Sequence, residues 1–321
     1  MEKILVTGGC GFIGSNFIHN FMKNNPNAKI KNLDKLTYAG RLENLADLEK
    51  NKDYEFIKGD ICDAGTVEKA MQGCEAVVNF AAETHVDRSI QDSDAFVKTN
   101  FFGVNVLCEE ARKQGIKKFC QISTDEVYGQ IKSGSFTEES KLNPRNPYSA
   151  AKAGGELLAM SYFTTYGLPV VVTRSSNNYG PFQFPEKVMP LFITNLVCGK
   201  KVPLYGEGKQ IRDWLYVGDN CEAIELCLKK GKAGEIYNIG GEHELPNIEL
   251  TKKILKEMSC GEEMIQKVPD RLGHDFRYSL DCSKIKKGLG WKQKTKFEQG
   301  LKETAKWYRE NKAWWKPLVK K

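Results

Sequence analysis

Histidine is scarce, long apolar runs are missing, and the cysteines form no obvious pairs. Only 4 histidines occur in 321 residues. With no His/Cys cluster at metal-ligand spacing, no metal site is expected. No run approaches the roughly 18 apolar residues of a membrane-spanning helix, so no membrane partner is expected. The 10 cysteines extend from Cys10 to Cys282 without a C-x-x-C pair, the closest two being Cys221 and Cys227. Several lie in apolar runs, as Cys120 does, which reads as reduced, mostly buried thiols of a reducing compartment. The N-terminus runs from Met1-Glu2-Lys3 straight into a strand-like segment, without the layout of a signal peptide. Together these point to a cytoplasmic protein.

The balance of charge is slightly basic, 48 Lys/Arg against 41 Asp/Glu, for a net charge of +7. Residues 284–321 hold 13 of the bases and 3 of the acids, so the rest of the chain is slightly acidic. The excess reads as the solvated face of a C-terminal helix and tail, and no nucleic-acid partner is expected. With 40 % hydrophobic and 28 % charged residues, the composition is globular; it excludes a disordered or collagen-like chain. The length allows one large α/β domain or two smaller ones.

Up to about residue 175, short apolar runs alternate with longer amphipathic ones. Strands are predicted at 3–7, 29–33, 54–58, 76–80, 117–123 and 169–174, and helices at 12–23, 65–71, 101–113 and 148–166. Runs such as Val170-Val171-Val172 lack polar alternation and suit strands buried on both faces. The expected fold is α/β, a Rossmann-type doubly wound parallel sheet with a smaller mixed C-terminal lobe. Residues 175–215, rich in Asn, Gly, Pro and aromatics, read as a loop-heavy region lining a site. Beyond them, 217–230 and 249–258 read as helices, 235–239 as a strand, and the tail from Trp291 to about Lys312 as one helix. The expected division is 1–175 with about 216–235 as a nucleotide-binding domain, and about 176–215 with 236–321 as a substrate lobe.

Gly8, Gly11 and Gly14 follow the first predicted strand and open the first helix. Small residues there let the backbone turn tightly and approach a pyrophosphate, and the helix N-terminus offers free N–H groups and positive potential. Asp34, 20 residues past Gly14, ends the second strand. A carboxylate in that place accepts from a ribose 2′-OH and repels a 2′-phosphate, which favours NAD over NADP. Asp60 suits an adenine contact or, more plainly, a cap on the helix that follows.

Tyr148 and Lys152 are four apart behind Pro147, so both project from one helical face. An ammonium beside a phenol lowers its pKa and makes it a usable base. Ser123-Thr124-Asp125-Glu126 closes the fifth strand, at the carboxyl end that faces the ligand crevice. Two acids beside a redox centre suggest that one proton is removed and another delivered.

The glycine loop with Tyr148 and Lys152 resembles the extended short-chain dehydrogenase/reductase family. Within it, DKLTYAG at 34–40, AAETHVDRS at 81–89, TDEVYG at 124–129, SNNYGP at 176–181, QIRDW at 210–214 and GHDFRY at 273–278 are similar to the nucleotide-sugar 4,6-dehydratases that act on dTDP-glucose. The resemblance covers nearly the whole chain. It implies oxidation at the sugar C4 with Tyr148 as base and Thr124 on the C4 oxygen. It further implies proton removal from C5 by Glu126, protonation of the C6 hydroxyl by Asp125, loss of water, and return of the hydride to C6. It implies NAD contacts at Phe12, Ile13, Asp34, Lys35, Thr37, Asp60, Ile61, Ala81, Ala82, Thr99, Tyr148, Lys152 and Asn178. Substrate contacts fall on Thr84, His85, Thr124, Asn177, Lys187, Arg212, Asn247, Arg271 and His274. Arg212 and Arg271 are fork donors suited to a diphosphate. Plainer readings remain for three of these: Arg212 in a surface salt bridge, His85 as a core histidine and Asn247 as a helix cap. A homodimer through helices 101–113 and 148–166 is also implied. The chain departs from the family pattern at Leu272, Ser175 and Phe182, and in a short 129–135 segment, none of which touches the acid and base groups. Rival readings are 4,6-dehydration of UDP-N-acetylglucosamine or UDP-glucose, a nucleotide-sugar 4-epimerase, which has no need of Asp125 and Glu126, and a non-catalytic NAD sensor.

Overall fold

A computed structural model describes residues 1–270 and 275–319. In the first part of the chain, strands and helices alternate: β1 (Lys3–Thr7), α1 (Phe12–Asn24), β2 (Lys29–Asp34), β3 (Tyr54–Lys58), α2 (Ala64–Met71), β4 (Ala76–Asn79), α3 (Val86–Gln91), α4 (Asp94–Val97), α5 (Gly103–Lys113), β5 (Lys118–Thr124), α6 (Pro147–Tyr166) and β6 (Val170–Ser175). Then follow β7 (Asn177–Tyr179), α7 (Val188–Val197), β8 (Val202–Tyr205), β9 (Ile211–Tyr216), α8 (Val217–Lys230), β10 (Glu235–Ile239), β11 (Glu244–Pro246), α9 (Asn247–Glu257), β12 (Ile265–Val268), α10 (Ser283–Leu289), α11 (Phe297–Glu310) and α12 (Lys312–Trp315).

Seven parallel strands form the main sheet in the order β10-β6-β5-β4-β1-β2-β3. The strand order reverses beside β1, which pairs with β2 on one side and β4 on the other. That reversal opens a crevice at the carboxyl ends of these strands. Val6, Val78, Cys120 and Val171 face one apolar layer and Leu5, Val77, Phe119 and Val170 the other, as expected of strands buried on both faces.

All seven sheet strands are legible in the sequence; the last, β10, falls on the predicted 235–239 and follows α8 to pair with β6. A buried network clamps this edge. Arg174 of β6, an ion-pair partner of Glu156 of α6 at 2.5 Å, donates to the Tyr128 hydroxyl at 2.6 Å, and Tyr128 donates to Asn238 of β10 at 2.8 Å.

Two expectations are corrected. The supposedly loop-heavy stretch 175–215 contains α7 and three short strands. Helix α7 is apolar on nearly every side and buried, so it shows no amphipathic period to read. The tail is not one helix from Trp291. A helix at Ser283–Leu289 ends at Gly290 in the left-handed conformation. Trp291 then sits in a connecting segment with its indole N–H on the Asp219 carbonyl at 3.2 Å, and α11 starts only at Phe297. Several of the tail lysines pair with acids elsewhere on the surface, including Lys284 with Glu235, Lys286 with Glu242 and Lys294 with Glu222.

The second lobe packs its own core from Met189, Phe192, Trp214, Leu250, Phe297 and Trp315. Among the described residues no helix is long and apolar enough to cross a membrane.

Candidate active site

The turn between β1 and α1 is built for close approach. Gly8 has φ +68°, and a Cβ there would lie 2.5 Å from the Ala81 nitrogen; at Gly14 it would lie 2.4 Å from the Gly8 carbonyl oxygen. Only glycine fits both positions. Gly11 is the N-cap of α1 and offers no side-chain cap, so the first amides of α1 and its dipole are directed at an anion site. Asp34 braces the turn. Its Oδ2 accepts from the Cys10 N–H at 2.9 Å and its Oδ1 from the Leu36 N–H at 2.8 Å. Burial raises the Asp34 carboxyl above its ordinary range, with the two backbone bonds opposing. Asp60 ion-pairs with Lys35 at 2.8 Å, while Asp63 caps α2 by accepting from the Thr66 N–H at 2.8 Å.

At the end of β5, Thr124 stops the strand and caps a 3-10 turn, Asp125–Tyr128, its hydroxyl oxygen accepting the Glu126 N–H at 3.3 Å. The turn drives the two acids into different surroundings. Asp125 is 2 % exposed, and burial, then the nearby Glu126 and Asp213, push its pKa up to about 8. It is therefore a neutral acid at neutral pH. The Thr124 hydroxyl donates to its Oδ1 at 3.2 Å, and its Oδ2 has no partner among the described residues. Glu126 stays partly exposed and accepts from Asn146 Nδ2 at 3.4 Å.

Asn146 also begins α6 through a reciprocal capping box with Ser149, with Pro147 in the first turn, a strong start signal. It sets Tyr148 and Lys152 facing the acids. The expected lowering of the Tyr148 pKa by Lys152 is not what the chain alone produces. Burial, with Glu126 next, raises the phenol, while a Thr124 hydrogen bond opposes. Burial pulls Lys152 down to about 8, and its Nζ donates to the Ile122 carbonyl at 2.5 Å.

One cleft is lined by Gly8, Gly11, Phe12, Ile13, Gly14, Asp34, Lys35, Thr37, Asp60, Ile61, Ala81, Ala82, Thr84, Thr99, Thr124, Asp125, Glu126, Tyr148, Lys152, Asn177, Asn178 and Lys187. Thr99 reaches it from a π-helical turn, Lys98–Phe102, whose Asn100 amide clasps both the N–H and the carbonyl of Glu83, at 2.9 and 3.0 Å. Three anticipated residues do not line the cleft. His85 caps α3 and sits 3.7 Å from Glu186. Arg212 is buried, not a surface ion-pair residue: it donates to the carbonyls of Ile211, Asp275 and Phe276 and lies over the Tyr278 ring at 4.3 Å. Asn247 opens α9 as its first residue, one past the N-cap Pro246. Arg271 and His274 lie outside the described residues. Sequence reasoning missed Tyr38, Glu83 and Glu186 in the cleft wall. The Tyr38 hydroxyl donates to Glu186 at 2.7 Å. The signal was available, since Tyr38 and Glu83 fall inside quoted motifs and Glu186 precedes Lys187.

The cleft fits a dinucleotide. The glycine turn presents amides, Asp34 stands at the end of β2, and buried polar atoms of Ser123, Asn177 and Asn178 have no partner among the described residues. Fold and cleft are those of a dinucleotide-binding enzyme with acid and base groups at its strand ends.

A sequence model described as GDP-mannose 4,6 dehydratase matches residues 5–304, and the chain belongs to that family. It is 52 % identical over 320 residues to a dTDP-glucose 4,6-dehydratase of Streptomyces niveus, covering 98 % of this chain and 95 % of that one. DesIV, a dTDP-glucose 4,6-dehydratase of Streptomyces venezuelae solved with NAD and dTDP bound, superimposes with TM-score 0.97 at 48 % identity, over 98 % of this chain and 99 % of that one. A UDP-glucose 4-epimerase of Thermotoga maritima reaches TM-score 0.90 at 33 % identity, over 96 % and 99 %.

Proposed function

We propose that the chain is an NAD-dependent hydro-lyase that converts dTDP-glucose to its 4-keto-6-deoxy product and water. The observation that carries this is the split between Asp125, a neutral acid with a pKa of about 8, and the more exposed Glu126 beside it. The fold alone does not choose the reaction, since the epimerase shares it; one acid and one base on consecutive residues is what an elimination requires. The 52 % identity to a dTDP-glucose 4,6-dehydratase supports the substrate.

The glycine turn with Phe12 and Ile13, together with Asp34, Lys35, Thr37, Asp60, Ile61, Ala81, Ala82, Thr99 and Asn178, holds NAD. Bound NAD supplies the acceptor for the C4 hydride and the store from which it returns to C6. Tyr148 takes the C4 hydroxyl proton, with Lys152 beside it supplying positive charge, and Thr124 holds the C4 oxygen. Glu126 takes the C5 proton, which the new ketone has acidified, and C5 is reprotonated once the hydride is back on C6. Asp125 gives its proton to the C6 hydroxyl, the C–O bond breaks, and water leaves. Thr84, Asn177 and Lys187 give the cleft its nucleotide-sugar side; His85, Arg212 and Asn247, set back from the cleft wall, and Arg271 and His274, outside the described residues, are assigned to that side by the family resemblance alone. The sheet with α8 forms the NAD-binding unit, and 176–215 with most of 236–321 the sugar lobe.

The protein acts in the cytoplasm as a homodimer. All ten cysteines are free, which suits a reducing compartment. Phe101, Phe102, Leu157 and Tyr166 form exposed apolar positions, 42–58 % accessible, along the helices that would pair. Incubation with dTDP-glucose carrying deuterium at C4 tests the reaction: the product should be lighter by one water and carry the label on its new methyl group. Retention of full mass, or a label lost to solvent, would overturn the reading, and conversion of UDP-sugars alone would change the substrate.

A further inference from the structure

The C-terminal segment lies outside the cleft yet grips both loops that frame it. Trp314 of α12 donates its indole N–H to Asn44 Oδ1 at 2.8 Å. Asn44, 1 % exposed, donates its amide to the Cys10 carbonyl at 2.8 Å. That carbonyl also accepts the Arg41 N–H at 2.9 Å, and the Cys10 N–H is held by Asp34. Cys10 lies within the glycine turn, so one buried amide connects residue 314 to the phosphate-receiving backbone. On the other flank, the Tyr308 hydroxyl of α11 donates to the Gln183 carbonyl. Gln183 in turn donates its amide to the Asn178 carbonyl at 2.9 Å, and both residues line the cleft.

Between the two grips stands Phe182, with φ +67°. A bulky residue keeps this left-handed conformation only where its surroundings over-determine it. Here they do: its ring centroid lies 4.9 Å from Trp307, 6.2 Å from Trp314 and 5.9 Å from His19 of α1.

We propose that α11 and α12 brace the glycine turn and the 178–183 loop in register, and that Trp314 is a positioning residue for cofactor retention, acting through Asn44 on Cys10. The inference rests on the NAD reading above. That reaction gives retention its importance, because the hydride taken from C4 must be returned by the same cofactor molecule.

Release of NAD from the purified holoenzyme tests the brace, followed as bound NAD remaining after rapid desalting. Trp314→Phe keeps an aromatic ring, deletes the N–H and trims the indole, a loss of size that the Trp307 variant matches. It should release NAD roughly five-fold faster, the effect of one net hydrogen bond to a buried group, with turnover in excess NAD unchanged. Trp307→Phe trims a neighbouring indole while leaving the Trp314–Asn44 bond, and should release NAD at the wild-type rate. Asn44→Asp keeps the acceptor for Trp314 and loses the donor to Cys10. Adding Trp314→Phe to it should give no further acceleration, because the link is already cut. Wild-type release by Trp314→Phe, equal acceleration by Trp307→Phe, or additive effects in the double variant would each overturn the proposal. If Asn44→Asp does not fold, the two tryptophan variants decide alone. A wild-type protein that binds no NAD would defeat the cofactor reading and leave the brace to amide exchange at residues 11–14, which Trp314→Phe should accelerate and Trp307→Phe should not.

Discussion

At the scale of residues, the chemistry rests on how one 3-10 turn treats two neighbouring carboxyl groups. Asp125 is pushed from 3.8 to about 8 by burial and by Glu126 and Asp213. Its protonated form is the competent one, so dehydration should decline as the pH rises through about 8, read from a rate profile under saturating substrate. The same shift has a sign for stability. A carboxyl raised in the fold lends its full stabilisation below 3.8 and loses it as the pH rises through about 8. Asp125→Asn, which cannot ionise, should therefore abolish water loss while its melting temperature gains on wild type between pH 4 and 8; a gain that does not grow with pH would contradict the shift. Glu126→Gln should still form NADH from dTDP-glucose but stop before elimination, seen as persistent nicotinamide absorbance without dehydrated product. The position and spacing of these groups were legible in the sequence, because a strand end and a four-residue helical separation are local properties. Their ionisation was not. The upward shift of Asp125 comes first from its burial and in part from the charge of Asp213, which is far away in sequence, and the upward shift of Tyr148 comes from desolvation that no motif records.

At the scale of elements, legibility follows the strength of local signals. Helix α6 begins where Pro147 says it should, one residue before the predicted 148, with the Asn146–Ser149 capping box seen only in the structure, and β1, β3, α8 and β10 match their predicted limits. Helix α7 was hidden because it is apolar all round, and the π-helical turn before α5 because it serves Asn100, whose partner Glu83 lies on another loop. The glycine turn is the most constrained of the local structures. Gly14→Ala would place a methyl 2.4 Å from the Gly8 carbonyl. The expected result is a loss of about 1–3 kcal/mol from overpacking, together with loss of bound NAD, measured by thermal melting and by the NAD content of the purified protein.

At the scale of the whole molecule, the exposed apolar positions on the helices around α6 carry the assembly prediction. Leu157 is 58 % exposed. Leu157→Arg should shift the protein from dimer to monomer mass in light scattering, whereas a wild-type mass equal to one chain would remove the dimer altogether. The strand that closes the sheet has a consequence of another kind. β10 seals the edge of β6, yet it is made about sixty residues later. While the chain emerges from the ribosome, the β6 edge and the Arg174–Glu156 pair wait without Asn238 to complete them. An unprotected strand edge is a site for mispairing, so release of a nascent chain before Ile239 should yield an insoluble product, and the full-length protein should lean on chaperones during that interval of its synthesis.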